Sequence, residues 1–335
     1  MAAVTDKSAC SKPTWQQQLN EAFTQIEDLC RFLQINPKDL PVSQAAAEQF
    51  RVKVPLNYAA KIQKGGLDDP LLQQILPLSQ ELTAYPGFTD DPVGDLSAVA
   101  VDGVLHKYQG RVLLINTGSC AIHCRYCFRR NFPYAETQLS KAKETEAIRY
   151  IAGDTSIAEV ILSGGDPLTL SDERLAGLFS RLDPIKHIKR LRIHSRLPIV
   201  LPDRVTDDLA DLLGKQRWQT VLVAHCNHAN EIDRDVIESF ERMRRQNIIL
   251  FNQAVLLRNV NDTADALCQL HEALFNQGVV PYYLHLLDKA NGTAHFEVPE
   301  AEALSLINQV RARLPGYMVP RLVKEVAGTK AKQAV

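Results

Sequence analysis

The sequence lacks a marked net charge, a long apolar run and an apolar leader. Its 38 Lys and Arg residues and 39 Asp and Glu residues leave a formal net charge of −1, so there is no excess of cations to neutralise nucleic acid phosphates. No stretch approaches the roughly 18 uninterrupted apolar residues of a membrane helix, and the first residues show no secretory signal. We therefore expect a cytoplasmic protein with neither nucleic acid nor membrane partners.

Cysteine is also scarce, and it is unevenly placed. Three of the seven cysteines, Cys120, Cys124 and Cys127, fall within eight positions, whereas disulfide frameworks are typical of short secreted chains. This spacing favours thiolate ligands in a reducing compartment. Apolar residues make up 45% of the chain, which is enough to bury a sizeable core.

The chain changes character near residue 100. Residues 14–95 show helical periodicity, and the spacing predicts one amphipathic helix over 14–35 and two more over 43–50 and 68–84. This region presents no catalytic constellation, so we expect it to pack against or cover the rest. We assign residues 1–95 to an N-terminal helical region, 96–315 to an α/β core and 316–335 to a C-terminal segment.

In the α/β core, short apolar runs alternate with helical stretches, which predicts βαβ units and a parallel sheet. Six units are two fewer than in a complete eightfold barrel, so they favour a partial (βα)6 TIM-like barrel. Periodicity alone leaves a doubly wound sheet open, and both folds place the chemistry at the C-terminal ends of the strands. The predicted strands are 111–116, 159–165, 190–196, 220–226, 247–257 and 279–287.

The three cysteines have the spacing C-x3-C-x2-C and follow directly after the first predicted strand of this core. A [4Fe–4S] cluster ordinarily takes four thiolates, so three leave one iron free to bind a small chelating molecule. Two alternatives remain at this point. Cys226 or Cys268 could complete a structural zinc site, or an all-cysteine cluster for electron transfer.

The cysteine motif, with Tyr126 before its last cysteine, resembles that of the radical S-adenosylmethionine (SAM) superfamily. The resemblance implies that SAM binds the open iron and is cleaved to a 5′-deoxyadenosyl radical. The Ser-Gly-Gly-Asp-Pro turn that ends the second predicted strand corresponds to the superfamily's glycine-rich turn beside SAM. The residues that the resemblance implies for SAM binding are Tyr126, Ser163, Gly164, Gly165, Asp166, His225 and Gln253.

Longer stretches narrow the resemblance, among them HKYQGRVLLI, CRYCFRR, LSGGDPLTL and PYYLHLLD. They are similar to those of the lysine 2,3-aminomutases, which combine SAM with pyridoxal 5′-phosphate (PLP). The resemblance implies an isomerase that moves the α-amino nitrogen of free L-lysine to Cβ. PLP offers that nitrogen a π-system able to carry the radical.

The resemblance also implies roles for residues outside the cysteine motif. Lys332 corresponds to the lysine that binds PLP covalently, and Lys330 is the fallback; the family's Lys-Thr-Pro is Lys-Gln-Ala here, and its glycine run is reduced to Gly328. Arg129 corresponds to the arginine that binds the substrate α-carboxylate, and Asp288 and Glu325 to the two acids that bind the ε-ammonium. Further residues implied for PLP are Lys107, Tyr108, Arg111 and Arg196.

Within the family, Tyr126 and Glu325 resemble the branch that supplies (R)-β-lysine for elongation factor P (EF-P). A separate ligase attaches that product to a lysine of EF-P. Catabolic members carry a longer C-terminal tail, which we do not expect here. The resemblance further implies a reduced flavodoxin or ferredoxin-type protein as the electron donor.

Overall fold

The computed structural model describes residues 13–137 and 141–335. The start of the predicted N-terminal region, residues 1–12, lies outside the described residues. None of the described helices is both long enough and apolar enough to span a membrane. The α-helices are α1 Trp15–Asn20, α2 Ile26–Leu33, α3 Gln44–Gln49, α4 Leu56–Ala59, α5 Pro70–Gln73, α6 Tyr134–Thr137, α7 Lys141–Gly153, α8 Asp172–Leu182, α9 Leu197–Val200, α10 Asp207–Gly214, α11 Arg234–Arg245, α12 Ala264–Asn276 and α13 Glu300–Arg313.

All the described strands belong to one sheet, in which they lie side by side in chain order. Strands β3 to β9 are parallel, while β1, β2 and β10 are antiparallel to their neighbours. The strands are β1 Val99–Val101, β2 Val104–Tyr108, β3 Arg111–Thr117, β4 Glu159–Gly164, β5 Arg190–Ser195, β6 Gln219–Ala224, β7 Ile249–Val255, β8 Val280–His285, β9 Arg321–Lys324 and β10 Gln333–Ala334.

The strand order decides between the two predicted architectures. A doubly wound sheet reverses its strand order at a switch point, whereas these strands follow one another without reversal. Among the described residues, β1 and β10 do not pair with each other, so the sheet is open. The partial barrel is therefore confirmed. All six predicted strands are present as β3 to β8, and the short β9 adds a seventh parallel strand that the apolar pattern did not indicate.

The barrel strands owe their form to apolar runs that are covered on both faces. In β4, Val160 and Leu162 have no exposed surface, and α7 and α8 flank this strand in the chain. Continuous apolar strands are what parallel sheets with covered faces require. The buried apolar residues hold the strands, and with them the strand ends, in fixed positions. The loops that follow the strands are not constrained to be apolar and can carry polar side chains.

Of the three predicted N-terminal helices, the one over 43–50 is present as α3, with Ser43 and Phe50 as its caps, and the other two are wrong in their extents. The expected single helix over 14–35 is two, α1 and α2, because Phe23 between them leaves the helical path and pairs with Val54; the two backbone hydrogen bonds of this pair measure 2.8 and 2.9 Å. The expected helix over 68–84 is reduced to α5 and a 3₁₀ turn at Ser79–Leu82. Pro77, which cannot donate a backbone hydrogen bond, separates the two.

Candidate active site

A single cavity of about 470 Å³ opens at the C-terminal ends of the parallel strands. Apart from the fallback Lys330, every residue that the sequence assigned to a cofactor or to the substrate lines this cavity, although these residues come from nine separate stretches of the chain. They are Lys107, Tyr108, Arg111, Cys120, Cys124, Tyr126, Cys127, Arg129, Ser163, Gly164, Gly165, Asp166, Arg196, His225, Gln253, Asp288, Glu325 and Lys332.

The cysteine loop, residues 118–127, follows β3 and carries all three cysteines of the motif, none of them in a disulfide. Burial raises the pKa of the Cys120 and Cys127 thiols, that of Cys127 to about 11. Such thiols become thiolates when a metal displaces the proton. The donor set therefore fits a cluster that these cysteines would hold.

The zinc alternative finds no support in the geometry. Cys226 is buried with its thiol directed at the carbonyl oxygen of His228, and Cys268 packs against the main core from α12. Neither lines the cavity.

The glycine-rich turn after β4 contacts the cysteine loop directly. A Cβ at Gly165 would lie 2.4 Å from the carbonyl oxygen of Ser119, and the next residue, Asp166, donates its backbone N–H to that same oxygen over 2.8 Å. The Asp166 carboxylate accepts from the Ser195 hydroxyl and from the backbone N–H of Arg196. The turn thereby links the cysteine loop to the end of β5, while the contact of Asp166 with SAM stays a prediction.

A buried ion-pair network anchors the cysteine loop to the N-terminal helical region. Arg125 donates through Nε and Nη2 to the two carboxylate oxygens of Glu81, over 2.9 and 2.5 Å, and Arg130 donates to Glu81 over 2.6 Å. The Glu81 side chain is fully buried. Glu81 could not be identified from the sequence, because its two arginine partners lie more than 40 residues away and no local pattern joins them.

Arg196 lies against the cysteine loop. Its Nη1 donates to Cys124 Sγ over 2.7 Å, and its Nη2 donates to Glu231 and Gln74 over 2.8 and 2.7 Å. Its Nε is buried without a partner among the described residues. The structure thus shows that Arg196 contacts the cysteine loop, while the PLP contact that the resemblance implied stays a prediction.

Five alternating charges connect the cysteine loop to the C-terminal segment. Arg129 donates to Asp95 over 2.7 Å, Asp95 accepts from Lys107 over 2.6 Å, and Lys107 contacts Glu325 at 3.1 Å. Glu325 in turn pairs with Lys332. Burial alone would raise the pKa of Glu325, but the two lysines outweigh it and lower that pKa to about 2. Asp95 was missed by the sequence analysis, which gave residues 1–95 no polar role.

The two lysines proposed as PLP attachment sites differ in their surroundings. Lys332 faces the cavity, whereas Lys330 is exposed and does not line it. Asp288, three residues after the end of β8, also lines the cavity. Burial raises its pKa to about 7, although the nearby Lys332 acts in the opposite direction. Gly328, with φ of +78°, allows the chain to turn back after Glu325 so that Lys332 reaches it.

Three neutral imidazoles complete the lining. Burial lowers the pKa of His194, His225 and His285, that of His225 to about 3. Gln253 Nε2 donates to His225 Nε2 over 2.5 Å, while His194 Nε2 is buried without a partner among the described residues. His194 and His285 were not predicted, although a histidine at the C-terminal end of an apolar barrel strand is a signal that could have identified both.

The family model of a 4Fe-4S single cluster domain matches residues 108–191, which include the cysteine loop and the glycine-rich turn. Two curated relatives are the L-lysine 2,3-aminomutases of Escherichia coli (strain K12) and Clostridium subterminale. The first is 44% identical over 99% of this chain and 97% of its own length. The second is 31% identical over 96% of this chain and 77% of its own length.

Among solved structures, the chain is similar to a radical SAM methyltransferase from Sphaerobacter thermophilus. That match has a TM-score of 0.47 and 15% sequence identity, and it covers 66% of this chain and 68% of the other.

Proposed function

Because the chain belongs to the L-lysine 2,3-aminomutase family of radical SAM isomerases, we propose that it rearranges free L-lysine to (R)-β-lysine with the help of PLP. The observation that carries this proposal is the row of alternating charges from Arg129 to Lys332. This row lies in the same cavity as the three cysteines.

The cavity offers complementary groups for both ends of a lysine molecule. Arg129 presents a planar guanidinium suited to the α-carboxylate. Asp288 and Glu325 would bind the ε-ammonium, and two carboxylates select a cation over the neutral end of an isosteric analogue. A lysine within a polypeptide has no free α-carboxylate, and its α-nitrogen is an amide. The free amino acid is therefore the substrate.

The residues around Lys332 fit PLP. Lys332 supplies the amine for the covalent bond, and Lys107, Tyr108 and Arg111 line the adjoining wall, with the Arg111 guanidinium 4.9 Å from the centre of the Tyr108 ring. The buried Arg192 Nε has no partner among the described residues and lines the same cavity, so a donor is free for a phosphate oxygen. When bound, PLP supplies a π-system to the migrating nitrogen.

The three cysteines would hold the [4Fe–4S] cluster, and SAM bound beside it would supply the radical chemistry of the rearrangement. The chain's own residues orient the substrate. Arg129 at one end of lysine, and Asp288 and Glu325 at the other, would determine which carbon faces the cluster. Tyr126, Ser163, Gly164, Gly165, His225 and Gln253 are the proposed SAM contacts.

The remaining parts of the proposal rest on the resemblance of Tyr126 and Glu325 to one branch of the family. In that branch the product serves a separate ligase that modifies EF-P. The electron comes from a reduced flavodoxin or ferredoxin-type protein. A reducing cytoplasm suits the three free thiols.

The test is anaerobic turnover with lysine, SAM, PLP and dithionite, followed by chiral separation of the products. We expect β-lysine in the (R) form. Norleucine, which lacks the ε-ammonium, should give almost none, because it offers no cation for Asp288 and Glu325 to bind. A parallel reaction with unmodified EF-P tests the order of steps. Rearrangement of only the protein-bound lysine would contradict the substrate assignment, and SAM cleavage without any β-lysine would indicate another radical SAM reaction.

A further inference from the structure

The hydrogen bond from Arg196 to Cys124 is a feature for which substrate binding gives no reason. Nη1 of the guanidinium lies 2.7 Å from the sulfur, and Arg196 as a whole is 6% exposed. The guanidinium also lies 5.6 Å from the centre of the Tyr126 ring. A buried cation therefore lies directly on one of the three sulfurs proposed to hold iron.

The opposite side of the same guanidinium is held by a buried acid. Nη2 donates to Glu231 Oε2 over 2.8 Å and to Gln74 Oε1 over 2.7 Å. The Glu231 side chain has no exposed surface, and its Oε1 accepts the backbone N–H of Asn227 over 2.9 Å. The carboxylate is thus fixed in place and opposes the charge that Arg196 brings to Cys124.

We propose that Arg196 and Glu231 act together, through Cys124, to set the reduction potential of the cluster. Hydrogen bonds to the sulfurs and the local net charge are known determinants of such potentials. Reduction adds one negative charge to the cluster, so a guanidinium on a ligand sulfur stabilises the reduced form and makes the potential more positive. Glu231 limits that effect, because its negative charge lies on the far side of the guanidinium. The proposal rests on the cluster alone and not on PLP or the substrate.

Substitutions of Arg196 and Glu231 should shift the midpoint potential of the cluster in opposite directions. A purely structural role of the pair would not produce opposite shifts. Removing the positive charge in Arg196→Met should make the midpoint potential of the cluster more negative. Removing the negative charge in Glu231→Gln, which keeps the shape of the side chain, should make it more positive. In Arg196→Lys the charge remains but the paired donors do not, so the potential should lie between those of the wild type and Arg196→Met.

The measurement is an anaerobic redox titration of the reconstituted protein, with the reduced cluster followed by electron paramagnetic resonance. Arg204→Met is the matched control, since Arg204 is also fully buried and pairs with an acid, Asp172 at 2.7 Å, but is not bonded to a cysteine of the motif. Iron and sulfide contents establish that each variant holds a cluster. The control should keep the wild-type potential.

Several outcomes would overturn the proposal. Potentials that stay unchanged in both Arg196→Met and Glu231→Gln, or that move in the same direction, would show that the pair has only a packing role. An increased KM for SAM with unchanged potentials would show that the guanidinium serves SAM and not the sulfur. If Arg196→Met fails to hold a cluster, Arg196→Lys and Glu231→Gln still show whether the midpoint potential shifts in the expected directions. A wild-type protein that forms no β-lysine would contradict the proposed function and leave these potentials unaffected.

Discussion

The two sides of the cavity are stabilised in different ways. On the cysteine side, the loop is joined to the N-terminal helical region by Arg125 and Glu81, whose side chains are both 0% exposed. On the lysine side, Lys332 and Glu325 are 24% and 13% exposed, and the strand that follows Lys332, β10, has only two residues. One side is fixed by buried pairs within the fold, and the other is a short edge segment.

This difference indicates a division of tasks. A cluster needs ligands that keep their positions through changes of oxidation state, and buried, hydrogen-bonded charges provide that rigidity. The proposed site for PLP and lysine would have to exchange ion-pair partners, because Glu325 already pairs with Lys332 and Lys107. The acids are therefore present in the cavity before a substrate ammonium arrives.

The largest expected effect is the removal of any one cysteine of the motif. Cys120→Ala, Cys124→Ala and Cys127→Ala each leave two thiolates, so we expect loss of the cluster and of SAM cleavage with a largely intact fold. Iron content and 5′-deoxyadenosine formation are the measurements. Cys226→Ala and Cys268→Ala are the controls and should retain both. If either control lost the cluster as completely as the motif variants do, the assignment of only three protein ligands to the cluster would be wrong.

Substituting Lys332 should separate the two sides of the cavity. We expect Lys332→Ala to lose covalent PLP and β-lysine formation while retaining the cluster, because the two cofactors are held by different parts of the chain. Absorbance of bound PLP, borohydride reduction and peptide mapping test this. Lys330→Ala is the matched control and should behave as the wild type. PLP found on Lys330 in the Lys332→Ala protein would place the attachment site two residues earlier.

The rigidity of the cysteine side can be tested through Glu81. Glu81→Ala leaves Arg125 and Arg130 as buried cations without their acid, and breaking a buried pair in this way costs about 3 to 5 kcal/mol. Denaturant unfolding of the apoprotein measures that loss. Glu238→Ala is the control, because its pair with Arg234 is exposed, and such pairs contribute about 0 to 1 kcal/mol. Equal losses in the two variants would contradict the comparison.

The smallest effect concerns the pH dependence of stability on the lysine side. Burial raises the pKa of Asp288 to about 7, above the value of about 4 in an unfolded chain, so the folded protein binds more protons between these values and stability falls as pH rises through them. Asp288→Asn should remove that decline. Glu325 has the opposite effect, because its pKa is lowered to about 2 in the folded protein. Its contribution to stability is lost as pH falls, and only below about pH 4.5.

Thermal unfolding midpoints of the apoprotein between pH 4 and pH 8 provide the measurement. The difference between Asp288→Asn and the wild type should grow as pH rises towards 7. Parallel pH profiles of the two proteins would mean that the Asp288 carboxyl is not desolvated as the structure indicates.

Much of the barrel follows from the sequence because its signal is local. Apolar runs such as 159–165 are continuous where both faces of a strand are covered, and each is followed by a helical stretch. Strand β9 was not predicted because its four residues, Arg321–Lys324, hold only two adjacent apolar side chains between two charged ones, which is too short a run to indicate a strand. Phe23 broke a predicted helix through pairing with Val54, a long-range contact that helical periodicity does not encode.

The candidate site also has a part that local sequence signals identify and a part that depends on long-range contacts. The cysteine motif and the glycine-rich turn are contiguous and could be identified, whereas Lys332 depended on resemblance because a lysine in a terminal segment carries no signal of its own. Asp95, Glu81 and Glu231 were missed. Each is an acid with an arginine partner that is 34 or more residues away in the chain, and only the fold brings these charges together. The domain boundaries at residues 95 and 315 stay predictions.

The close approach of Gly165 to Ser119 has a consequence for how this chain can vary over evolutionary time. Any side chain at position 165 would need space now occupied by the backbone next to Cys120, since a Cβ there would lie 2.4 Å from the Ser119 oxygen. A substitution in the turn after β4 would therefore displace the loop after β3. The two loops can therefore change only together, so the residues tolerated at position 165 depend on the path of the loop that carries the cysteines.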